Sequence, residues 1–462
     1  MTLGYFNLMI LLSRYIFAGF GILFIVVAFS FMKPFINFSL GNRKEKNRLM
    51  SICLYFFHLA GLSILMGKQT DDAIRWAIGI NGLIVLAVFF VSFMILKMMK
   101  RHHELVLWQL MFFLMDIGYL MLERLDHTQA TKQVAFYAIG AVIALIFPSI
   151  FSVVIKPQNK YFYLVILAIT MVLPFIFGTR ILGATNWVQI GPISFQPSEI
   201  GKLALVLFLA STLSDGERRK HGYRGLIFPG IVTAIALVCL VTQKDLGAVL
   251  LYYLTAMLMV LVATQSFLLP SLGLVVAGIG STAAYFMFGH IRVRVEAWLH
   301  PFENYNDSGY QVVQGLFAMG TWGWLGSGLT RGMPNKIPYA VSDYIFPAAC
   351  EEFGNIIGIV ILLCYLGIIL LCLQVAFRYS HAFYQLVIIG IASIFGMQVF
   401  VIIGGVMKLI PLTGITTPFM SAGGSSIVVS MAMIGLITYF SYKARENEEK
   451  GEKVNEARAK RK

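Results

Sequence analysis

The chain has 462 residues, of which 58% are hydrophobic and only 13% charged, with a formal net charge of +14. A soluble domain carries about 25% charged residues, so this composition and a mean hydropathy of +0.79 exclude a water-soluble fold and require an integral membrane protein. The positive charge does not form a nucleic-acid stripe: Lys and Arg fall in short loops and in the C-terminal tail, so no nucleic acid partner is expected.

A helix needs about 20 apolar residues to cross the hydrocarbon core. That rule predicts thirteen crossings, near 9–32, 49–66, 76–99, 105–122, 134–155, 161–179, 199–214, 226–243, 246–264, 268–288, 345–375, 384–407 and 425–443. The first run lacks a small-residue cleavage site and is expected to stay as a retained helix. Every second loop is basic: Lys33, Arg43, Lys44, Lys46 and Arg48; then Lys97, Lys100 and Arg101; Lys156 and Lys160; Arg218, Arg219, Lys220 and Arg224; Arg378. Those loops and the basic tail are expected in the cytoplasm, which puts the N-terminus and the loops 180–198, 289–344 and 408–424 outside. Cys53, Cys239, Cys350, Cys364 and Cys372 lie in or beside apolar runs, with no disulfide or metal-site spacing.

Charged groups inside crossings cost roughly 2.5–3.5 kcal/mol at mid-bilayer, so each needs a reason. Glu199 and Lys202 stand three apart in QPSEIGKLALVLFLA, on one helical face, where they can neutralise each other or line a polar groove. Asp245 in QKDLGAVL suits a helix N-terminus, and Asp116 calls for a polar partner on a neighbouring helix. Polar residues concentrate between Arg292 and Glu352, in a loop too long to be idle. There Arg292 and Arg294 offer guanidiniums suited to pyrophosphate, and Glu303 and Asp307 are either general bases or solvated acids. Glu351 and Glu352 can brace the loop. PLTGITTPFMSAGGSS is a tight or re-entrant segment whose Ser425 can cap the last helix and whose backbone amides can face an anion.

GATNWVQIGPISFQPSEIGKLALVLFLA, QKDLGAVL, HPFENYNDSGYQVVQGLFAMGTWGWLGSGL, IPYAVSDYIFPAACEEFG and IPLTGITTPFMSAGGSS occur in that order. In them the chain resembles the SEDS family of FtsW/RodA/SpoVE-like proteins over roughly 105–443. The resemblance implies an all-α polytopic bundle with a ten-helix core at 105–443. Residues 1–104 are then three additional helices, and 444–462 a basic cytoplasmic tail. It also implies a multi-pass protein of a bacterial plasma membrane that polymerises lipid II at the outer leaflet, serving cell shape, division or sporulation. Its partner would be a class B penicillin-binding protein. In that inverting glycosyl transfer a base takes the proton of an acceptor hydroxyl, while cations such as Arg292, Arg294 or Lys202 stabilise the leaving polyprenyl pyrophosphate. Gln196, Glu199, Asp343 and Ser425 fall at matched motif positions and are expected to contact substrate. No cofactor is required, and a divalent cation is an open alternative.

The chain departs from the family at the base. The family's Asp, five residues before Gly-Tyr-Gln, falls on Asn304, ahead of Gly309, Tyr310 and Gln311. An amide is no base near neutral pH. The expected catalytic group is therefore Asp307, nearer the presumed freedom of Gly309, with Glu303 as second choice. Ile402 also stands where the family carries Asn. The alternatives are a weakened paralogue that regulates a penicillin-binding protein and a lipid-linked precursor flippase.

Overall fold

The computed structural model describes residues 3–32, 41–99, 105–181, 184–191, 193–214 and 222–459. Lys33, Lys100, Arg101, Arg218, Arg219 and Lys220, used above to orient the chain, lie outside the described residues. Thirteen helices among the described residues are long and apolar enough to cross a membrane, and each answers to one predicted crossing.

Three helices come first: α1 (Leu3–Phe29), α2 (Arg43–Lys68) and α3 (Asp72–Met98). Asn42 starts α2 with a capping box, its side chain accepting from Glu45 N while Glu45 reaches back. Asp71 caps α3 through Ala73 N and Ile74 N. These helices pack on α4 (Leu105–Leu125), whose apolar stretch is wholly buried. The polar side chains Gln109, Asp116 and Glu123 on this helix favour protein neighbours over lipid. Polar groups fix the contact. Gln109 Nε2 donates to Asn47 O at 2.7 Å and to Ser51 Oγ at 2.9 Å. His58 Nδ1 meets Asp116 Oδ1 at 2.5 Å, which supplies the partner Asp116 was expected to need.

The chain continues as α5 (His127–Phe151), capped by Asp126, and α6 (Lys160–Phe177). The next segment departs from an all-helical reading. Gly178–Ile181, Ala184–Ile190 and Ile193–Phe195 form strands β1, β2 and β3 of a small antiparallel sheet. Thr179 pairs with Trp187 and Gln189 with Ser194, a register set by the alternating, β-branched ATNWVQI run before the Gly191 turn.

Then follow α7 (Pro197–Ser214), α8 (Ile227–Thr242), α9 (Leu246–Thr264) and α10 (Leu268–Met287). The long loop is partly helical, as α11 (Gly289–Leu299) and α12 (Tyr310–Thr321). The single crossing expected at 345–375 is two helices, α13 (Ile345–Phe353) and α14 (Asn355–Ala376). Gly354 breaks it at φ +91, where a Cβ would meet Trp324 O at 2.3 Å, so only glycine lets the Gly-rich loop pass. That loop is anchored as the glutamates suggested: Glu352 accepts from Arg124 Nε at 3.1 Å and Thr330 N at 2.8 Å, and Glu351 from Met333 N at 2.6 Å. Burial pushes the Glu352 carboxyl up to about 7. Finally α15 (Ala382–Val406) and α16 (Gly424–Ala459) close the bundle, α16 lying along α5.

Candidate functional site

The sheet, the starts of α7 and α9, the middle of α15 and the 414–416 segment converge on a cleft of about 100 Å³. Asp245, the N-cap of α9, accepts from Ala248 N at 3.1 Å, as its position predicts. Its other oxygen collects three donors: Asn186 Nδ2 at 2.8 Å, Gln196 Nε2 at 2.7 Å and Ser198 Oγ at 3.4 Å. A buried carboxylate with that many donors is well satisfied and ties the sheet to two helices at once.

Glu199 and Lys202, on the shared face their spacing implies, pair at 2.7 Å. They are 8% and 4% exposed, so each charge depends on its partner. Lys202 Nζ also donates to Gln398 Oε1 at 3.3 Å, and Gln398 Nε2 donates to Thr416 O at 2.8 Å. The PLTGITTP segment thereby becomes a wall of the cleft. Ser425 accepts from Gln196 N at 3.3 Å, so it braces the wall and does not serve as a plain helix cap.

At the rim α11 lies against residues 408–414. Trp298 Nε1 donates to Lys408 O at 3.1 Å, and Arg294 Nη1 to Thr413 O at 3.0 Å. Arg292 goes elsewhere, with its guanidinium 5.7 Å from the centre of the Tyr285 ring. The two arginines are therefore not one clamp, because on a helix residues two apart face different ways. Desolvation holds Arg294 below its ordinary value against the opposing pull of the Asp343 and Asp245 carboxylates. Asp343 approaches from the other side, half-buried, and its burial raises the carboxyl to about 6. Desolvation, with Arg294 and Lys244 nearby, holds His290 below its ordinary value.

Glu303 and Asp307 are exposed, Asn304 is half-buried, and none of them lines the cleft. They sit on a turn wound on itself. Asn304 N and Nδ2 both donate to His300 O, Asp307 N and Gly309 N donate to Asn304 O, and Glu303 Oε1 lies 3.3 Å from His300 Nδ1. Gly309 has φ −78, an ordinary right-handed conformation, and a Cβ there would strike Pro301 O. The glycine serves close packing, so the freedom that favoured Asp307 is absent. Among the described residues no three His, Cys, Asp or Glu side chains come together to hold a metal. The reading of the sequence overlooked Asn186, Gln398 and Thr416, whose roles arise only when the sheet and α15 close the cleft. NWVQI after a turn was the one local signal for Asn186.

A family model described as cell cycle protein, for FtsW, RodA and SpoVE, matches residues 98–446. Peptidoglycan glycosyltransferase RodA of Mycobacterium tuberculosis (strain H37Rv) is 31% identical over 435 residues, covering 88% of this chain and 92% of that protein. RodA of Mycobacterium leprae (strain TN) is 33% identical over 421 residues, with 84% and 88% covered. In structure, a chain from a solved peptidoglycan synthase complex superposes with a TM-score of 0.63 at 23% identity, covering 73% of this chain and 97% of that one. Thermus thermophilus RodA gives 0.51 at 23% identity, with 73% and 96% covered. The chain belongs to the FtsW/RodA/SpoVE family of polytopic membrane proteins.

Proposed function

We propose that this chain is a peptidoglycan glycosyltransferase that polymerises lipid II at the outer leaflet of the plasma membrane. The observation that carries the reading is the cleft itself. A lysine almost fully buried and an arginine at the rim offer positive groups to a pyrophosphate. Attack by a sugar hydroxyl opposite the pyrophosphate inverts the anomeric carbon, and charge developing on the leaving oxygen is what fixed cations stabilise. Gln196, Glu199 and Ser425 hold the cleft in shape for that ligand, and Arg292 on the same helix adds positive charge near the headgroups. A carboxylate must take the proton. Asn304 is not one, which leaves Glu303 and Asp307 on the turn and Asp343 at the rim.

In this reading the N-terminus and the 289–344 region face outside, the C-terminal tail is cytoplasmic, and a class B penicillin-binding protein cross-links the product. Whether a divalent cation joins the pyrophosphate is settled by chelator addition to the same assay. Asn304 favours one second reading, a non-catalytic partner that binds lipid II and regulates such a protein. Purified full-length chain given lipid II tests the choice: glycan polymer and released polyprenyl pyrophosphate are expected. Lipid II retained without polymer would establish the regulator instead.

A further inference from the structure

The three helices that precede the core meet α4 along a polar seam. Gln109, Asp116 and Glu123 stand about two turns apart on α4, on one face, and all are buried. His58 on α2 and Asp116 are fully buried and pair through Nδ1 and Oδ1. Their other polar atoms, His58 Nε2 and Asp116 Oδ2, have no hydrogen-bond partner among the described residues. A buried polar atom left so costs about 1–3 kcal/mol and calls for a role. Gly82 lets α3 close over the imidazole: a Cβ there would strike Leu62 and lie 3.2 Å from His58 Nε2. From this pair, titratable groups climb α4 to one end of the bundle. Tyr119 stacks on His58 with ring centres 5.8 Å apart, and its hydroxyl faces the Glu123 carboxyl. Glu123 pairs with His127, whose side chain is 30% exposed. Arg124 donates to Gly332 O at 3.3 Å, so this is the end that carries the 289–344 region. Tyr137 on α5 is the other titratable group facing Asp116. In the opposite direction the seam is closed, because Phe57, Phe112 and Phe113 are fully buried before Gln109 meets Ser51.

We propose that the His58–Asp116 pair is a proton-binding site, a well reached from the His127 end through Glu123 and Tyr119. Chains of His and carboxyl groups within membrane helices suit proton transfer. A proton taken from His127 by Glu123 passes to the Tyr119 oxygen as that hydroxyl releases its own proton to Asp116. Rotation of the hydroxyl resets the relay, and the aromatic plug beyond the pair stops the proton from crossing. None of these side chains lines the cleft around Asp245. The well therefore stands whether or not the chain polymerises lipid II.

The test is exchange of the His58 imidazole proton with heavy water, read by nitrogen NMR of the purified, histidine-labelled full chain in lipid. The His58 signal is identified by its loss in His58→Gln. The native proton should exchange within minutes. Tyr119→Phe, which removes a single hydroxyl, and Glu123→Gln should each slow exchange by at least about 10²-fold, the scale a positioned proton carrier contributes. A seam that only holds helices together would leave the rate unchanged. Tyr119→Phe decides the matter if Glu123→Gln does not accumulate. A native His58 proton that persists for hours shows a sealed pair and overturns the proposal, as does exchange at the native rate in either variant. Proteoliposomes under a pH gradient should hold it as protein-free vesicles do. A sustained proton leak abolished by Asp116→Asn would overturn the closed end and make the seam a channel.

Discussion

The cleft around Asp245 and the turn around Asn304 are both dense in polar residues, yet they do different physical work. In the cleft, one carboxylate takes three side-chain donors and a buried lysine is balanced by a glutamate at 2.7 Å. On the turn the hydrogen bonds of Glu303, Asn304 and Asp307 are to near neighbours in the chain, and the acids are solvated. Polarity in water costs nothing to maintain, whereas buried charge persists only where partners offset its desolvation. The contrast teaches that density of charged letters is a poor guide to where charge is buried and paired.

The sharpest way to break this contrast is Asp245→Asn. The new amide keeps one acceptor oxygen, so its NH2 group must face either the Asn186 and Gln196 donors or Ala248 N–H, and the tie of the sheet to α7 and α9 is weakened. Charged hydrogen bonds are worth about 1.5–3 kcal/mol each, and polymerisation should fall by at least about 10²-fold. Next comes the pair on α7. Lys202→Met leaves Glu199 buried without a counter-charge and should cost about 3–5 kcal/mol of stability in a detergent unfolding assay. Combined with Glu199→Gln, the loss should be smaller than the sum of the single variants, and strict additivity would show that the two charges do not support each other. The smallest effect is expected on the turn. Glu303→Gln with Asp307→Asn should stay within about threefold of native activity, as solvated surface groups do.

Much of the fold was legible because membrane spans obey one strong rule of length and hydropathy. All thirteen crossings are present. The misread places are those where tertiary contact overrides local pattern. The crossing expected at 345–375 breaks at Gly354 because residues 324–326 pass against it, a contact no local pattern announces. The sheet at 178–195 lay in a loop assumed to be plain. For the site, the Glu199–Lys202 pair and the Asp245 cap follow from helix geometry. Asn186 and Gln398 do not, because they reach the cleft from elements 59 and 196 residues distant from Asp245 and Lys202 respectively. Asp343 was read as a substrate contact from its motif alone, and its environment emerges only when Arg294 and Gly414 are placed beside it. The three N-terminal helices are likewise more closely bound to the core than their separate place in the sequence suggests. His58 and Gln109 cross that boundary in buried contacts. The match to the M. tuberculosis relative covers 88% of the chain, more than residues 98–462 contain, so it too extends into this region.

The central claim is that catalysis depends on the cleft and not on the exposed turn. It is tested most directly by comparing lipid II polymerisation by purified Asp245→Asn with that by the Glu303→Gln, Asp307→Asn double variant, each against the native chain. The account predicts a loss of at least about 10²-fold for the first and native-like polymer within about threefold for the second. A double variant that makes no polymer while Asp245→Asn polymerises normally would contradict it.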